Sequence, residues 1–167
     1  MKHGMRDSNR SKVYAAERTL VFKLSPTTPN PARYVYGILD SNWFKKYKPP
    51  VVKPKNPVDY DKYSNPCNVK SYQVRIKRKG SYRSAANPSY MELAHRSTGN
   101  YSIMLILHEL AHSVQREGPW HGRQFCHIYL DLVKRYLGKE WYDSLKGSFR
   151  AHGVKLSRFA KRGKKHA

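Results

Sequence analysis

Residues 108–112 read His-Glu-Leu-Ala-His, and His121 follows nine positions after His112. Histidines four apart share one face of an α-helix, so His108 and His112 can each aim a ring nitrogen at a single metal ion. Between them, Glu109 can reach a metal-activated water as general base, which is the chemistry of metal-assisted hydrolysis. A third protein ligand leaves the fourth tetrahedral position of a zinc ion open, and that separates a catalytic site from a closed structural one. His121 is the candidate, and the set calls for one Zn2+ per chain.

The flanking sequence predicts how these residues are carried. Ile-Met-Leu-Ile-Leu (103–107) runs into the motif, Asn100 offers an N-cap, and Gly118-Pro119 offers the stop. On that helix Ile103, Leu107, Leu110 and Val114 make one apolar stripe, and Met104, His108, His112 and Gln115 make a second beside it. Two histidines on a mostly buried helix need partners. A following helix over 121–137 has His121, Phe125, Ile128, Leu132 and Tyr136 on its inward face. His127 shares the wet face with Gln124, Asp131, Lys134 and Arg135, which favours His121 as third ligand. An acidic ligand, Glu117, stays open as an alternative. Gly118 and Pro119 reverse the chain between the two helices, and Gly122 leaves room for close backbone approach.

The chain has 167 residues, enough for one domain with a core of its own. No run of 18 apolar residues is present, so no membrane span is expected, and the N-terminal segment lacks the apolar stretch of a secretory signal. Cys67 and Cys126 stand far apart without a CxxC pair, and each reads as a small buried residue. A cytoplasmic setting fits, and a virion-associated one fits equally.

Lys and Arg number 33 against 11 Asp and Glu, giving a net charge of +22. The excess concentrates at Arg75, Lys77, Arg78 and Lys79 and in the tail, with Arg158, Lys161, Arg162, Lys164 and Lys165. Thirteen tyrosines are interleaved. Such a surface is expected to hold DNA or RNA without sequence preference, because no helix-turn-helix, zinc-finger or RNA-recognition pattern accompanies it.

The remaining elements follow in order. Residues 7–21 predict a helix opened by Asp7 or Ser8, with Val13, Ala16 and Leu20 on one side. Asn30-Pro31 opens a second helix through Val35, Leu39 and Trp43 to about Tyr47. Residues 48–68 hold five of the ten prolines and read as an extended surface loop. Tyr72, Val74 and Ile76 alternate with polar residues as a half-buried strand. Lys79-Gly80 turns into a strand near 81–86, Asn87-Pro88 breaks it, and a third strand spans about 90–95. Residues 139–151 predict a last helix with Trp141, Leu145 and Phe149 inward. The expectation is one α+β domain over 1–154, built on a small antiparallel sheet, followed by a flexible basic tail over 155–167.

This order of helices, small sheet, HELAH helix and His-Gly-x-x-Phe segment resembles a zincin-type metallopeptidase domain. More specifically, the chain resembles a small family of predicted metallohydrolases of actinobacteria and their phages. The matching stretches are 6–17 (Arg-Asp-Ser-Asn-Arg-Ser-Lys-Val-Tyr-Ala-Ala-Glu), 41–44 (Ser-Asn-Trp-Phe), 107–112, 121–125 and 148–154, so only the proline-rich loop and the tail fall outside. The resemblance implies His108, His112 and His121 as zinc ligands, Glu109 as general base and acid, and a protein or peptide substrate. It also implies that the strand ahead of the motif helix, with Tyr90, Met91, Glu92 and Leu93, lies along the cleft and takes an extended substrate as an added strand. SprT-like proteases, which attack proteins crosslinked to DNA, share the layout distantly. This chain has a shorter gap between its second and third histidines and lacks the zinc-ribbon cysteines some of them carry. The group that stabilises the oxyanion stays open among His127, Arg123 and several tyrosines. The rival reading is a non-enzymatic nucleic-acid or particle component that keeps the fold as scaffold, although such a protein would be expected to have lost Glu109 or a ligand.

Overall fold

The computed structural model of the chain describes residues 7–50, 65–116 and 118–156, and for 21–24 the backbone alone. Six helices and two small sheets form an α+β fold. Helix α1 (Arg10–Leu24) buries Val13 and Ala16, as its spacing predicts, and half-buries Leu20. Asn9 rather than Asp7 or Ser8 sits at its N-cap position, and no side chain caps it. Asp7 is thereby released for another partner.

Strand β1 (Thr27–Thr28) precedes α2 (Pro31–Asp40), which starts with Asn30 accepting from the Arg33 amide at 2.9 Å. The single helix expected to reach Tyr47 is broken. At Ser41 the backbone turns extended (φ −64°, ψ 139°), and the Ser41 hydroxyl caps a separate short helix α3 (Asn42–Lys45) by accepting from Phe44. Serine competes for backbone partners in this way, and the break lets Phe44 enter the core. Of the proline-rich loop expected over 48–68, residues 51–64 lie outside the described residues.

The larger sheet contains β2 (Gln73–Ile76), β3 (Ala85–Asn87) and β4 (Tyr90–Leu93) in the order β2-β4-β3. Two expectations are corrected here. The sheet is mixed, because β2 runs parallel to β4 while β3 and β4 form an antiparallel hairpin through Pro88-Ser89. And β4 is central: both its edges are occupied, so Tyr90–Leu93 cannot accept a further strand. The alternation expected on β2 holds for Tyr72, which is buried, and Val74, which is half-buried, but Ile76 is exposed. The Tyr72 hydroxyl bonds the hydroxyl of Ser113, tying this sheet to the motif helix.

A two-residue strand β5 (Tyr101–Ser102) pairs with β1 and leads directly into α4 (Ile103–Val114). Ser102, not Asn100, is the N-cap. Every residue of α4 from Ile106 to Val114 is buried, and the core gathers around it. Helix α5 (Arg123–Tyr136) packs against α4 through Phe125, Ile128, Tyr129 and Leu132. Helix α6 (Lys139–Ala151) places Leu145 and Phe149 in the core and Trp141 at its margin. It also joins α1, where the Ser148 hydroxyl donates to the Ala16 carbonyl at 2.9 Å. Among the described residues no helix is long and apolar enough to cross a membrane. The tail beyond Leu156 lies outside the description.

Candidate metal centre

His108 and His112 stand one turn apart on α4, both nearly fully buried. His121 reaches them from a tight turn rather than from the helix predicted to begin there, since α5 starts two residues later. Three contacts fix that turn. Gly118 takes a positive φ of 80°, open to glycine without strain. The Gly122 amide donates to the Pro119 carbonyl at 2.7 Å, and a Cβ at Gly122 would stand only 2.8 Å from that oxygen, so the expected close approach is present. Gln115 Nε2 donates to the same carbonyl at 2.7 Å, and Gln124 accepts from the Arg116 amide at 2.8 Å. His121 is therefore held as firmly as a helical residue, at 4 % exposure.

The geometry of the three rings tests whether a metal fits. Nε2 of His108 lies 3.2 Å from Nε2 of His112 and 3.4 Å from Nε2 of His121. The three ligand atoms lie within 4.8 Å of one another, the one group of this kind among the described residues. Two nitrogens bound tetrahedrally at about 2.0–2.1 Å would be separated by about 3.3 Å. The two contacts through His108 match that spacing.

The other ring nitrogens settle the tautomers. Glu17 Oε1 lies 2.6 Å from His108 Nδ1, and Asp7 Oδ2 lies 2.7 Å from His121 Nδ1. A carboxylate can only accept, so each Nδ1 carries the hydrogen and each Nε2 turns a lone pair toward the others. The lone pairs of His108 and His121, 3.4 Å apart, repel unless positive charge lies between them, so the donor set fits a divalent metal. The electrostatics agree. Burial disfavours a charged His108, but Glu17, by charge and hydrogen bond, and then Glu109 outweigh it and raise the His108 pKa. Burial, then His108 and His121, push His112 down to about 2. The His121 pKa is also lowered, first by burial and against the pull of Asp7. Without a metal, the cluster favours positive charge at His108 and resists it at the other two.

Glu109 lies beside this cage at 5 % exposure, and its carboxylate makes no hydrogen bond to a described residue. Burial first, and Glu17 second, raise its pKa to about 6 against the opposing influence of His108 and Lys77. A buried carboxylate left unbonded and titrating near neutrality is poised to exchange a proton with a ligand.

A cleft of about 330 Å³ opens on the cage, with Glu109, His112 and His121 at its floor and Trp120 at its rim. Its strand wall is Ser84, Ala85 and Ala86, so β3 and not β4 borders the site. Tyr14 also lines it, stacked on His108 with ring centroids 5.5 Å apart and tilted against His121 at 5.1 Å. Of the groups left open for an oxyanion, Tyr14 is thus in the cleft, while Arg123 and His127 are not among its lining residues. His127 is half-buried on α5 and takes no part in the cluster. The alternative ligand Glu117 lies outside the described residues.

Asp7, Tyr14 and Glu17 were not singled out as functional residues by the sequence reading, which took Asp7 for a helix cap. The signal was present in the stretch 6–17, which begins beside Asp7 and ends on Glu17. From Arg10 the spacing i, i+4, i+7 puts Arg10, Tyr14 and Glu17 on one face of α1, the face turned to the motif.

The basic residues divide. Arg75, Arg78 and Lys79 are exposed, whereas Lys77 pairs with Glu92 at 3.6 Å. Arg158, Lys161, Arg162, Lys164 and Lys165 lie outside the described residues. Comparison of the chain with protein-family models, with curated proteins and with solved structures gave no match.

Proposed function

We propose that the protein is a zinc-dependent metallohydrolase of zincin type that cleaves peptide bonds. The observation that carries this reading is the convergence of three Nε2 atoms beside a buried, unbonded carboxylate, on the floor of a cleft walled by a strand. A zinc ion held there by His108, His112 and His121 would supply a Lewis acid that polarises the carbonyl and acidifies water. Glu109 accepts the proton from the attacking water and delivers it to the leaving amine, and its burial, which raises its pKa, favours its taking up that proton. Glu17 and Asp7 hold the imidazoles of His108 and His121 with Nε2 forward throughout. An extended peptide lies against Ser84–Ala86, whose small side chains let its backbone approach, and Trp120 covers one neighbouring side chain. Tyr14, with the Arg10 guanidinium 5.9 Å from its ring centre, presents its hydroxyl to the developing oxyanion.

The test is a proteolysis screen on unfolded protein substrates with metal-free protein, zinc-restored protein and the Glu109→Gln variant. Cleavage that returns with zinc and is lost in the variant supports the reading. Equal cleavage by the variant would remove Glu109 from the chemistry.

A second property rests on a separate observation. The segment between β2 and β3 carries Arg78, Lys79 and Arg83, with Tyr82 92 % exposed among them, and leads straight into the cleft wall at Ser84. An exposed aromatic ring within unpaired guanidinium and ammonium groups is the surface on which a single-stranded nucleic acid stacks. The hydrolase would then act where nucleic acid is bound.

A further inference from the structure

A second cavity, about 510 Å³, adjoins the cleft and shares Arg10 and Tyr14 with it. It lies between the face of α1 that carries Tyr14, Glu17 and Arg18 and the first two turns of α4, where Leu105 and His108 line it. Tyr129 from α5 also lines it. Nothing in the hydrolytic scheme uses this space. Its volume falls in the range of small-molecule sites, roughly 300–1,000 Å³.

The lining and the rim ask for different things. Leu105 and the rings of Tyr14 and Tyr129 present apolar surface, which gains by excluding water. Arg10, Arg18 and Arg96 bring three guanidinium groups to the same cavity, and none forms an ion pair with a described residue. Among the described lining residues Glu17 is the one acid, and its carboxylate is committed to His108 at 2.6 Å. A cation is repelled by this rim. An inorganic anion would leave the apolar walls wet, and a neutral hydrocarbon would leave the guanidinium field unused.

We propose that this cavity binds a small amphipathic anion: an apolar body, aromatic or medium-chain aliphatic, bearing one carboxylate or sulfonate that sits among Arg10, Arg18 and Arg96. The site borders the metal cage through the ring of His108 and lies on its Glu17 side, whereas the cleft lined by Asp7, Glu109, His112 and His121 is a separate opening. It does not depend on whether the protein hydrolyses peptides.

The test is a fluorescence titration of the zinc-loaded full chain with 8-anilinonaphthalene-1-sulfonate, followed by competition with octanoate and with 1-octanol. Saturable binding at one site is expected, displaced by octanoate at concentrations at least tenfold below those needed for octanol. Leu105→Trp, which fills the cavity, should abolish saturable binding. Arg18→Glu with Arg96→Glu, two exposed positions whose change leaves the core untouched, should weaken it roughly tenfold or more and flatten its salt dependence. Zinc content and circular dichroism establish that each variant is folded. Binding that survives Leu105→Trp in a folded protein would place the anion at the metal centre and overturn the proposal. Equal competition by octanol, or no saturable binding at all, overturns it as well.

Discussion

Replacing Glu109 by glutamine keeps the shape of the side chain and removes its charge, and the structure sets opposite consequences for activity and stability. Burial first, and then Glu17, raise the carboxyl from 4.5 to about 6 in the folded protein. An acid whose folded pKa lies above its unfolded value holds its proton more tightly when folded, so ionising it opposes folding. The cost is absent below about pH 4.5, grows between 4.5 and 6, and is complete above 6. A difference of about 1.5 units, at 1.36 kcal/mol each, amounts to about 2 kcal/mol. In a chain of this size that corresponds to a melting temperature shift of about 4–8 °C. The metal-free Glu109→Gln protein should therefore melt above the metal-free wild type at pH 7.5, and the two should converge near pH 4. Peptide hydrolysis by the zinc-loaded variant should meanwhile fall by at least about 100-fold, since general-base catalysis contributes on that order. In the zinc-loaded wild type, kcat/KM should rise with pH as Glu109 loses its proton, at a pH below 6 because the cation favours the carboxylate, and then level off. Thermal melts at both pH values and a peptidase assay decide the matter. A variant no more stable than wild type at pH 7.5 would mean that the carboxylate is not held against its own ionisation, and the reasoning about a poised base would fail.

Metal analysis of purified protein should give one zinc per chain; His108→Ala and His112→Ala should abolish it and His121→Ala should weaken it sharply, whereas full stoichiometry in His112→Ala would sink the ligand assignment. Glu17→Gln and Asp7→Asn, which leave His108 and His121 without a charged partner at Nδ1, should lower zinc affinity about 10–100-fold in a chelator competition, and unchanged affinity in both would deny them that role. Binding to single-stranded DNA should fall steeply with salt. Tyr82→Ala should weaken it without altering the salt slope, while removal of residues 155–167, with six basic groups, should make the slope shallower. No binding at low salt would end the polyanion reading.

The motif helix and its burial were legible because they rest on local periodicity: apolar residues at helical spacing fix which side of α4 is inward, and His108 and His112 on that side have nowhere else to point. His121 joins them as expected, but from the turn ahead of α5 and not from the inward face of a helix. The α+β character and the inward positions of α1, α5 and α6 follow from the same signal. Sheet order was not legible. The turn at Lys79-Gly80 says that β2 and β3 reverse direction, but not that β4 inserts between them, because strand pairing is a long-range choice that short, polar strands specify weakly. That one difference moves the cleft wall from Tyr90–Leu93 to Ser84–Ala86. Ser41 shows the converse: its hydroxyl offers a cap, and this local alternative broke a helix that periodicity alone would continue.

The placement of acid residues is the strongest argument that the centre was built for a cation. The chain carries 11 Asp and Glu against 33 Lys and Arg, yet Asp7, Glu17 and Glu109 all converge on the three imidazoles. Each is desolvated, which by itself disfavours charge, and in a chain of net charge +22 each could have had a basic partner instead. Two of the three have a stated task, since Glu17 and Asp7 fix the tautomers of His108 and His121. The third acid, Glu109, has neither an ion pair nor a hydrogen bond to a described residue to offset its burial. A merely structural metal would be served by the histidines and their two carboxylate partners. A free, buried carboxylate beside the three histidines is what a hydrolytic site would add to that minimum.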